Sequence, residues 1–214
     1  MHTTTPSAQD ILDAAAAIIV GDRADALSYA RLAQHLGSTP DAVRSVYPVF
    51  ESLVAALLAR ETAILTRIVV AHVDRDPRGG LPSRIFSYAL SAIYEQPFAR
   101  MLYLEDPDGL RTLMRVADGF GEIPTLSLHP ELLTALQRAG MMRTDVDPAQ
   151  VAALVDVVGA GVALSAPAQQ LDAVVAGLTT VLERSVDADV EDTTPGKVLF
   201  AHYASTLAVA RRPV

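Results

Sequence analysis

The sequence predicts an all-α protein, with an N-terminal three-helix unit followed by a larger helical remainder. Three observations point there. Apolar residues recur at steps of three and four along almost the whole 214-residue chain, the spacing that gathers them on one helix face. Alanine, leucine and valine dominate the apolar half of the composition, with aromatics at 5% and no tryptophan, which favours helices packed on helices over sheets. Capping residues, glycines and prolines punctuate the pattern where helices would start and stop.

The first predicted helix carries Ile11, Leu12, Ala15, Ile18 and Ile19 as one stripe, with Ser7 suited to its N-cap and Gly21 to its end. After a polar connection at 22–27, Ser28 caps a short helix bearing Leu32, Ala33 and Leu36, closed by Gly37. The stretch "LAQHLGSTPDAVRSVYPVF", Leu32 to Phe50, turns a corner at Gly37, Ser38 and Thr39. Thr39 offers its hydroxyl as the next N-cap, Pro40 fits the first helical position, and Asp41 suits the positive end of the helix dipole. Val43, Val46 and Tyr47 face back to the core, and Pro48 ends the helix. A long helix follows, with Phe50, Leu53, Val54, Leu57, Leu58, Ile64, Leu65 and Ile68 in one stripe over about five turns. It ends before "DRDPRGG", Asp74 to Gly80, a stretch rich in turn residues and the candidate boundary between two functional parts. Beyond it, helices are predicted over 82–96, 98–104, 109–118, 131–139, 148–166, 170–186 and 196–210. The acidic "DADVED" at 187–192 reads as a solvated loop.

Several chemistries are excluded or unsupported. Cysteine is absent, which rules out disulfides, thiolate metal sites and cysteine nucleophiles. The opening "MHTTTPSAQD" has no basic stretch leading into an apolar one, so no signal peptide is expected. Arg60, Glu61 and Asp156 break the most apolar runs before they reach membrane-spanning length. A soluble, cytoplasmic protein with no membrane segment is therefore expected. Gly159 and Gly161 lack the third glycine of a dinucleotide fingerprint, and "PGK" at 195–197 lacks the rest of a phosphate loop. The five histidines are scattered, so no metal, cofactor or catalytic centre is expected. The net charge of −8 disfavours a polyanionic partner unless charge is segregated. Residues 1–60 set Arg23, Arg31, Arg44 and Arg60 against Asp10, Asp13, Asp22, Asp25, Asp41 and Glu51, a net of −2.

Three stretches follow one another in the first quarter of the chain: "ILDAAAAIIV", then "LSYARLAQHLG", then "STPDAVRSVYPVFESLVAAL". As an ordered set they resemble the N-terminal part of the TetR family of bacterial transcriptional regulators. The stretch "LQRAGMMRTDVDPAQVAALVDVVGAGVAL" (136–164) looks like the lead into that family's first dimerisation helix. The resemblance implies a helix-turn-helix DNA-binding domain over 1–50 and a helical ligand-binding and dimerisation domain over 51–214. It further implies a homodimeric, ligand-responsive regulator, expected to be a repressor and not an enzyme, that holds operator DNA until a small-molecule inducer releases it. The chain departs from the family pattern on the reading helix. Pro40 and Asp41 stand where lysine and glycine are usual, Arg44 where a phosphate-touching tyrosine is common, and Phe50 where a lysine opens the long helix. A second reading stays open on the charge of residues 1–60: a helical ligand-binding or scaffold protein that keeps the fold without binding DNA.

Candidate sites follow. The outward face of helix 39–47 carries Pro40, Asp41, Arg44 and Ser45. Arg44 has the fork to pair with a guanine edge. Ser28 and Thr39, at helix N-termini, offer hydroxyl and backbone N–H groups to phosphates, with Arg31 as the other nearby cation. Those seven are the expected DNA-binding residues. Helix 82–96 is the ligand candidate, because a stripe of Arg84, Ser87, Tyr88, Ser91 and Glu95 lies beside an apolar face. Ser87, Tyr88, Ser91 and Tyr94, with Met101, Tyr103 and Met114, form the expected ligand-binding set, and Met141 and Met142 would add adaptable lining. Val151, Leu154, Val155, Val158 and Val162 form one apolar stripe, and Val174, Leu178 and Val181 belong to another. With the small residues Ala152, Gly159, Gly161 and Ala163, they suit helices 148–166 and 170–186 to pair between two subunits as a four-helix bundle.

Overall fold

The computed structural model describes residues 5–118, 129–165 and 171–209, and local capping chemistry sets most of its helix starts. α1 (Ala8–Asp22) opens in a capping box, in which Ser7 Oγ accepts from the Asp10 N–H and the Asp10 carboxylate accepts from the Ser7 N–H. A 3₁₀ turn, Ala24–Ala26, leads to α2 (Tyr29–His35) and α3 (Pro40–Val46). α4 (Phe50–Arg75) is 26 residues long. Then come α5 (Pro82–Glu95), α6 (Pro97–Arg100), α7 (Pro107–Ala117), α8 (Pro130–Arg138), α9 (Pro148–Ser165), α10 (Leu171–Ser185) and α11 (Thr194–Val209). Six of these helices begin on proline, whose missing N–H is one that the first turn leaves unbonded anyway. The helix expected over 98–104 is α6 followed by a π-helical turn, Met101–Glu105, where the Asp106 N–H reaches back to the Met101 carbonyl at 2.8 Å.

The chain forms two compact units that interleave in sequence. The first draws on the described residues of Met1–Thr62 and Gln96–Pro124, the second on those of Ala63–Glu95 and Thr125–Val214. The division falls within α4, not at Asp74–Gly80. Those turn residues pack rather than link. A Cβ on Gly80 would lie 2.0 Å from the Thr193 carbonyl oxygen, and one on Gly196 would lie 2.0 Å from the Gly80 oxygen. Backbone therefore touches backbone where α11 begins. Thr193 Oγ1 donates to the Pro77 carbonyl at 2.7 Å beside that contact.

In the first unit, Ile11, Ile18 and Ile19 of α1, Leu32 of α2, Val43 of α3 and Leu53, Val54 and Leu57 of α4 share one core with Phe98, Leu102 and Leu113. One charged group lies at the edge of that core. Glu61 is only 4% exposed. Its Oε1 accepts from Arg60 Nε at 3.1 Å and Nη2 at 2.6 Å, and its Oε2 accepts from Gln96 Nε2 at 2.7 Å. Arg60 also reaches Asp13 at 2.6 Å and the Leu12 carbonyl at 3.0 Å, while Gln96 caps α6 through the Ala99 N–H. Polar groups of α1, α4 and α6 thus meet in one network.

The second unit buries Leu65, Val69 and Val73 of α4, Ile85, Phe86 and Leu90 of α5, Leu133 and Leu136 of α8, Leu182 of α10 and Phe200 of α11. Met141 and Met142, expected as pocket lining, are core residues here. They sit where two loops pair, with the Arg143 N–H donating to Val186 and the Ala188 N–H to Met141. The acidic stretch 187–192 begins with a buried residue rather than a solvated one. Asp187 is 6% exposed, and its carboxylate accepts from the Ser83 N–H at 3.0 Å and from Ser83 Oγ at 2.5 Å, in the first turn of α5.

Burial pushes the Asp187 carboxyl above its ordinary pKa, against the opposing pull of the Ser83 hydrogen bonds. A value raised in the folded state means that the unfolded chain ionises more readily. The stabilising contribution is therefore complete below the unfolded value of about 3.9 and is lost as pH rises through the folded one. Asp187→Asn carries no charge, keeps an acceptor for the Ser83 N–H, and offers an amide donor to Ser83 Oγ in place of the second acceptor. It is expected to gain stability relative to the wild type between pH 4 and pH 7, read from urea titrations at both. Asp187→Ala strands the Ser83 groups and is expected to lose about 1–3 kcal/mol. A stability difference between the Asp187→Asn variant and the wild type that ignores pH would contradict the raised pKa. Among the described residues, no helix is long and apolar enough to cross a membrane.

Candidate nucleic-acid interface and ligand groove

α2, the corner and α3 make a helix-turn-helix. α2 ends in a Schellman motif, with the Ser38 N–H bonded to the Ala33 carbonyl at 2.9 Å and the Gly37 N–H to the Gln34 carbonyl at 3.3 Å. Gly37 takes φ +60°, a conformation that side chains resist. Ser28 Oγ caps α2 through the Arg31 N–H, and Thr39 Oγ1 caps α3 through the Ala42 N–H, each at 3.2 Å. Val43 is fully buried and Val46 and Tyr47 pack partly on the same core. The opposite face turns outward, and Ser28, Arg31, Thr39, Pro40, Asp41, Arg44 and Ser45 are all exposed on it.

Both cations of that face already hold partners. Arg31 Nη2 lies 2.6 Å from Asp22, and its Nη1 donates to Gln34 at 2.9 Å. Arg44 Nη1 lies 3.4 Å from Asp41, and its guanidinium sits 5.0 Å from the centre of the Tyr29 ring. Ser45 Oγ donates to the Ala42 carbonyl. Tyr29 is a residue that sequence reasoning missed. Its Oη donates to the Tyr47 carbonyl at 2.7 Å, and its ring meets Phe50 edge-on at 5.4 Å. It ties the end of α3 to the start of α2 and gives Arg44 an aromatic platform. Burial raises the Tyr29 pKa, so the hydroxyl remains a donor. The available signal was an aromatic at the first position of α2, which periodicity does not weigh.

Within the second unit, α5 and α10 line a groove of about 470 Å³. Ser87, Ser91 and Tyr94 contribute from α5, flanked by Arg84 and Glu95. The other wall comes from α10 through Asp172, Thr179, Thr180 and Glu183, none of which the sequence had singled out. With Val175 and Ala176 between them, they recur at steps of three and four, the signal that was there to find. Arg84 spans the groove's end, with Nη2 3.9 Å from Glu183 and Nε 3.9 Å from Asp76. Among the described residues, the Tyr94 hydroxyl has no hydrogen-bond partner, and burial raises its pKa.

Tyr88 departs from the expected ligand set. Its Oη donates to Asp76 Oδ2 at 2.7 Å and its ring stacks on His72 at 5.3 Å, so it braces α5 against the end of α4. One residue beyond Ser87 on a helix points about 100° away, which is why it leaves the groove's wall. Burial and the Asp76 bond push its hydroxyl up to about 12. Met101, Tyr103 and Met114 belong to the first unit, and Met101 and Met114 pack on its core.

No family model matches the chain, and no curated protein matches its sequence. Solved structures do match. One, from Mesorhizobium loti and assigned to the TetR family of transcriptional regulators, aligns with TM-score 0.56 and 15% identity over 85% of this chain and 96% of its own. A gamma-butyrolactone receptor, an ArpA-like protein, aligns with TM-score 0.56 and 17% identity over 92% of this chain and 96% of its own. A third, from Rhodococcus and also assigned to the TetR family, gives 0.53 and 15% over 83% and 96%. The chain has the TetR-family fold. At these identities the likeness is one of fold alone.

Within this TetR-type fold, α9 presents two apolar faces rather than one. Val151 and Val155, expected at a subunit interface, are buried inside their own chain, where α9 packs on α8. Val158 is half-buried, and Val162 lies outside the described side chains. The outward face is Leu154 and Val157, exposed at 57% and 71%. On α10, Val174 and Leu178 are half-buried while Val181 is 58% exposed. A helix apolar on nearly every side gives no phase from sequence, which is why its inward face at Val151 and Val155 could not be told from its outward face at Leu154 and Val157. Among the described residues, a Cβ on Gly161 or on Gly177 would meet nothing within 4 Å.

Proposed function

We propose that the protein is a ligand-responsive transcriptional repressor that binds operator DNA as a homodimer and is released by a small polar molecule. Residues 1–50 form the DNA-binding module, and residues 51–214 hold ligand and partner subunit. The observation that carries this reading is the helix-turn-helix itself, with seven exposed residues opposite the buried Val43. Arg44 reads a base edge, while Ser28 and Thr39 place helix N-termini near phosphates. Asp22 and Asp41 compete with DNA for the two cations. Few phosphates are neutralised per subunit, so binding depends only weakly on salt.

The test is selection of sequences from random duplexes by the purified protein, followed by titration of the selected duplex. Arg44→Ala is expected to lower affinity roughly 5- to 150-fold per half-site, from about 1–3 kcal/mol of lost base recognition in each subunit. Asp41→Asn is expected to raise affinity for all duplexes alike, since it removes a negative charge near the backbone. Absence of enrichment at low salt would favour the other reading, a helical ligand-binding or scaffold protein. A steep salt dependence would contradict the assigned contacts.

The effector binds in the α5–α10 groove, where Ser87, Ser91 and Tyr94 supply hydroxyls for orientation. It acts by binding one conformational state more tightly than the other. Subunits pair through the outward faces of α9 and α10, around Leu154, Val157 and Val181, with Gly161 and Gly177 permitting close approach.

A further inference from the structure

We infer that the second unit carries another ligand site, between α4 and α11, which takes an apolar organic anion. The groove there measures about 540 Å³, within the range of small-molecule sites. Its α4 wall runs from residue 63 to residue 74, about 16 Å at helical rise. Val70 and Ala71 face Phe200 and Ala204 across it, so the body of the groove is apolar. Two cations, Lys197 and Arg67, edge that apolar floor against a single carboxylate, Asp74. Lys197 Nζ is anchored at one end by the Asp74 carbonyl, 3.0 Å away. Arg67 lies on the α4 wall, is exposed, and has no carboxylate within ion-pair reach among the described residues.

Arg67 shares with Arg75, Arg138 and Arg184 the lack of an ion pair among the described residues, and of these four it alone lines a groove. Arg78 and Arg84 lie by Glu183, and Arg143 by Asp145. Arg67 instead presents an unpaired guanidinium beside apolar surface, in a chain of net charge −8. A planar fork of that kind favours a carboxylate or sulfonate, which it can bind with two parallel hydrogen bonds. The α5–α10 groove is more polar and more acidic, walled by hydroxyls and by Glu95, Asp172 and Glu183 against Arg84 alone. An apolar anion would be repelled there and accepted against α4. The assignment is independent of the regulator reading.

Fluorescence titration of the full-length protein tests it, using anionic 1-anilinonaphthalene-8-sulfonate and neutral N-phenyl-1-naphthylamine. Both are expected to saturate at one site per chain. Arg67→Glu should weaken the anion roughly tenfold or more while leaving the neutral probe unchanged, the loss of one charge-assisted pair. Ala71→Leu fills the groove and should weaken both, with thermal melts showing that each variant is folded. Arg184→Glu, an exposed arginine outside the groove, should change neither. The inference is overturned if Arg67→Glu leaves the anion's affinity intact or weakens both probes equally. It is also overturned if Arg184→Glu has the same effect, or if Ala71→Leu changes the oligomeric state, which would make the groove a contact between copies.

Discussion

Glu61→Ala is expected to destabilise the first unit by about 3–5 kcal/mol, the range for removing one partner of a buried ion pair. The carboxylate takes three hydrogen bonds, two from Arg60 and one from Gln96. Without it, the Gln96 amide faces a cavity, and Arg60, with a side chain 17% exposed, keeps only Asp13 and the Leu12 carbonyl. Those remaining contacts place the loss toward the lower end of the range. Glu61→Gln retains an acceptor but no charge, so an intermediate loss is expected. The combination Glu61→Leu with Arg60→Met removes both ions and should recover much of the stability, because desolvating the pair offsets most of its attraction. Urea denaturation followed by circular dichroism measures all four proteins. A loss below about 1 kcal/mol for Glu61→Ala would mean that the pair behaves as a surface one.

The same residue shows what sequence reasoning reaches and where it stops. In the sequence, Glu61 is a charge that interrupts an apolar run. Its role depends on Gln96, 35 positions away, and, through Arg60, on Asp13, which lies 47 positions from Arg60. Asp187 repeats the lesson, as an acidic-loop residue whose partner Ser83 is 104 positions distant. Features made by neighbours in sequence were legible. The caps at Ser7, Ser28 and Thr39, the corner at Gly37 and the proline helix starts are determined within four or five residues. The outward face of the helix-turn-helix was legible for the same reason, since a fully buried Val43 phases a short helix. The groove was half legible. The α5 stripe predicted Ser87, Ser91 and Tyr94, but neither the α10 wall nor the rotation of Tyr88 toward Asp76 follows from local pattern. The π turn at Met101–Glu105 leaves no periodicity signal in so short a stretch.

Val157→Asp is expected to convert the proposed homodimer to a monomer, raising its dissociation constant by roughly 100-fold or more. Val157 is 71% exposed in the single chain, three residues from Leu154, which is 57% exposed. A two-fold interface contains each substitution twice, so two unpaired carboxylates would be buried together. Each would lose hydration with no compensating partner, a penalty of several kcal/mol against about 1.4 kcal/mol per tenfold in affinity. Leu154→Ala and Val181→Ala remove apolar area alone and should weaken association far less. Val198→Asp is the control, a valine 63% exposed on α11 rather than on the proposed face. Sedimentation equilibrium separates these outcomes. A Val157→Asp protein that stays dimeric, or a Val198→Asp protein that dissociates, would move the interface elsewhere. The consequence for DNA follows from geometry. Two Arg44-bearing helices reach successive major grooves only when a dimer holds them about 34–36 Å apart. Monomeric Val157→Asp should therefore bind an isolated half-site as the wild-type subunit does, and should lose the added affinity for a two-fold operator.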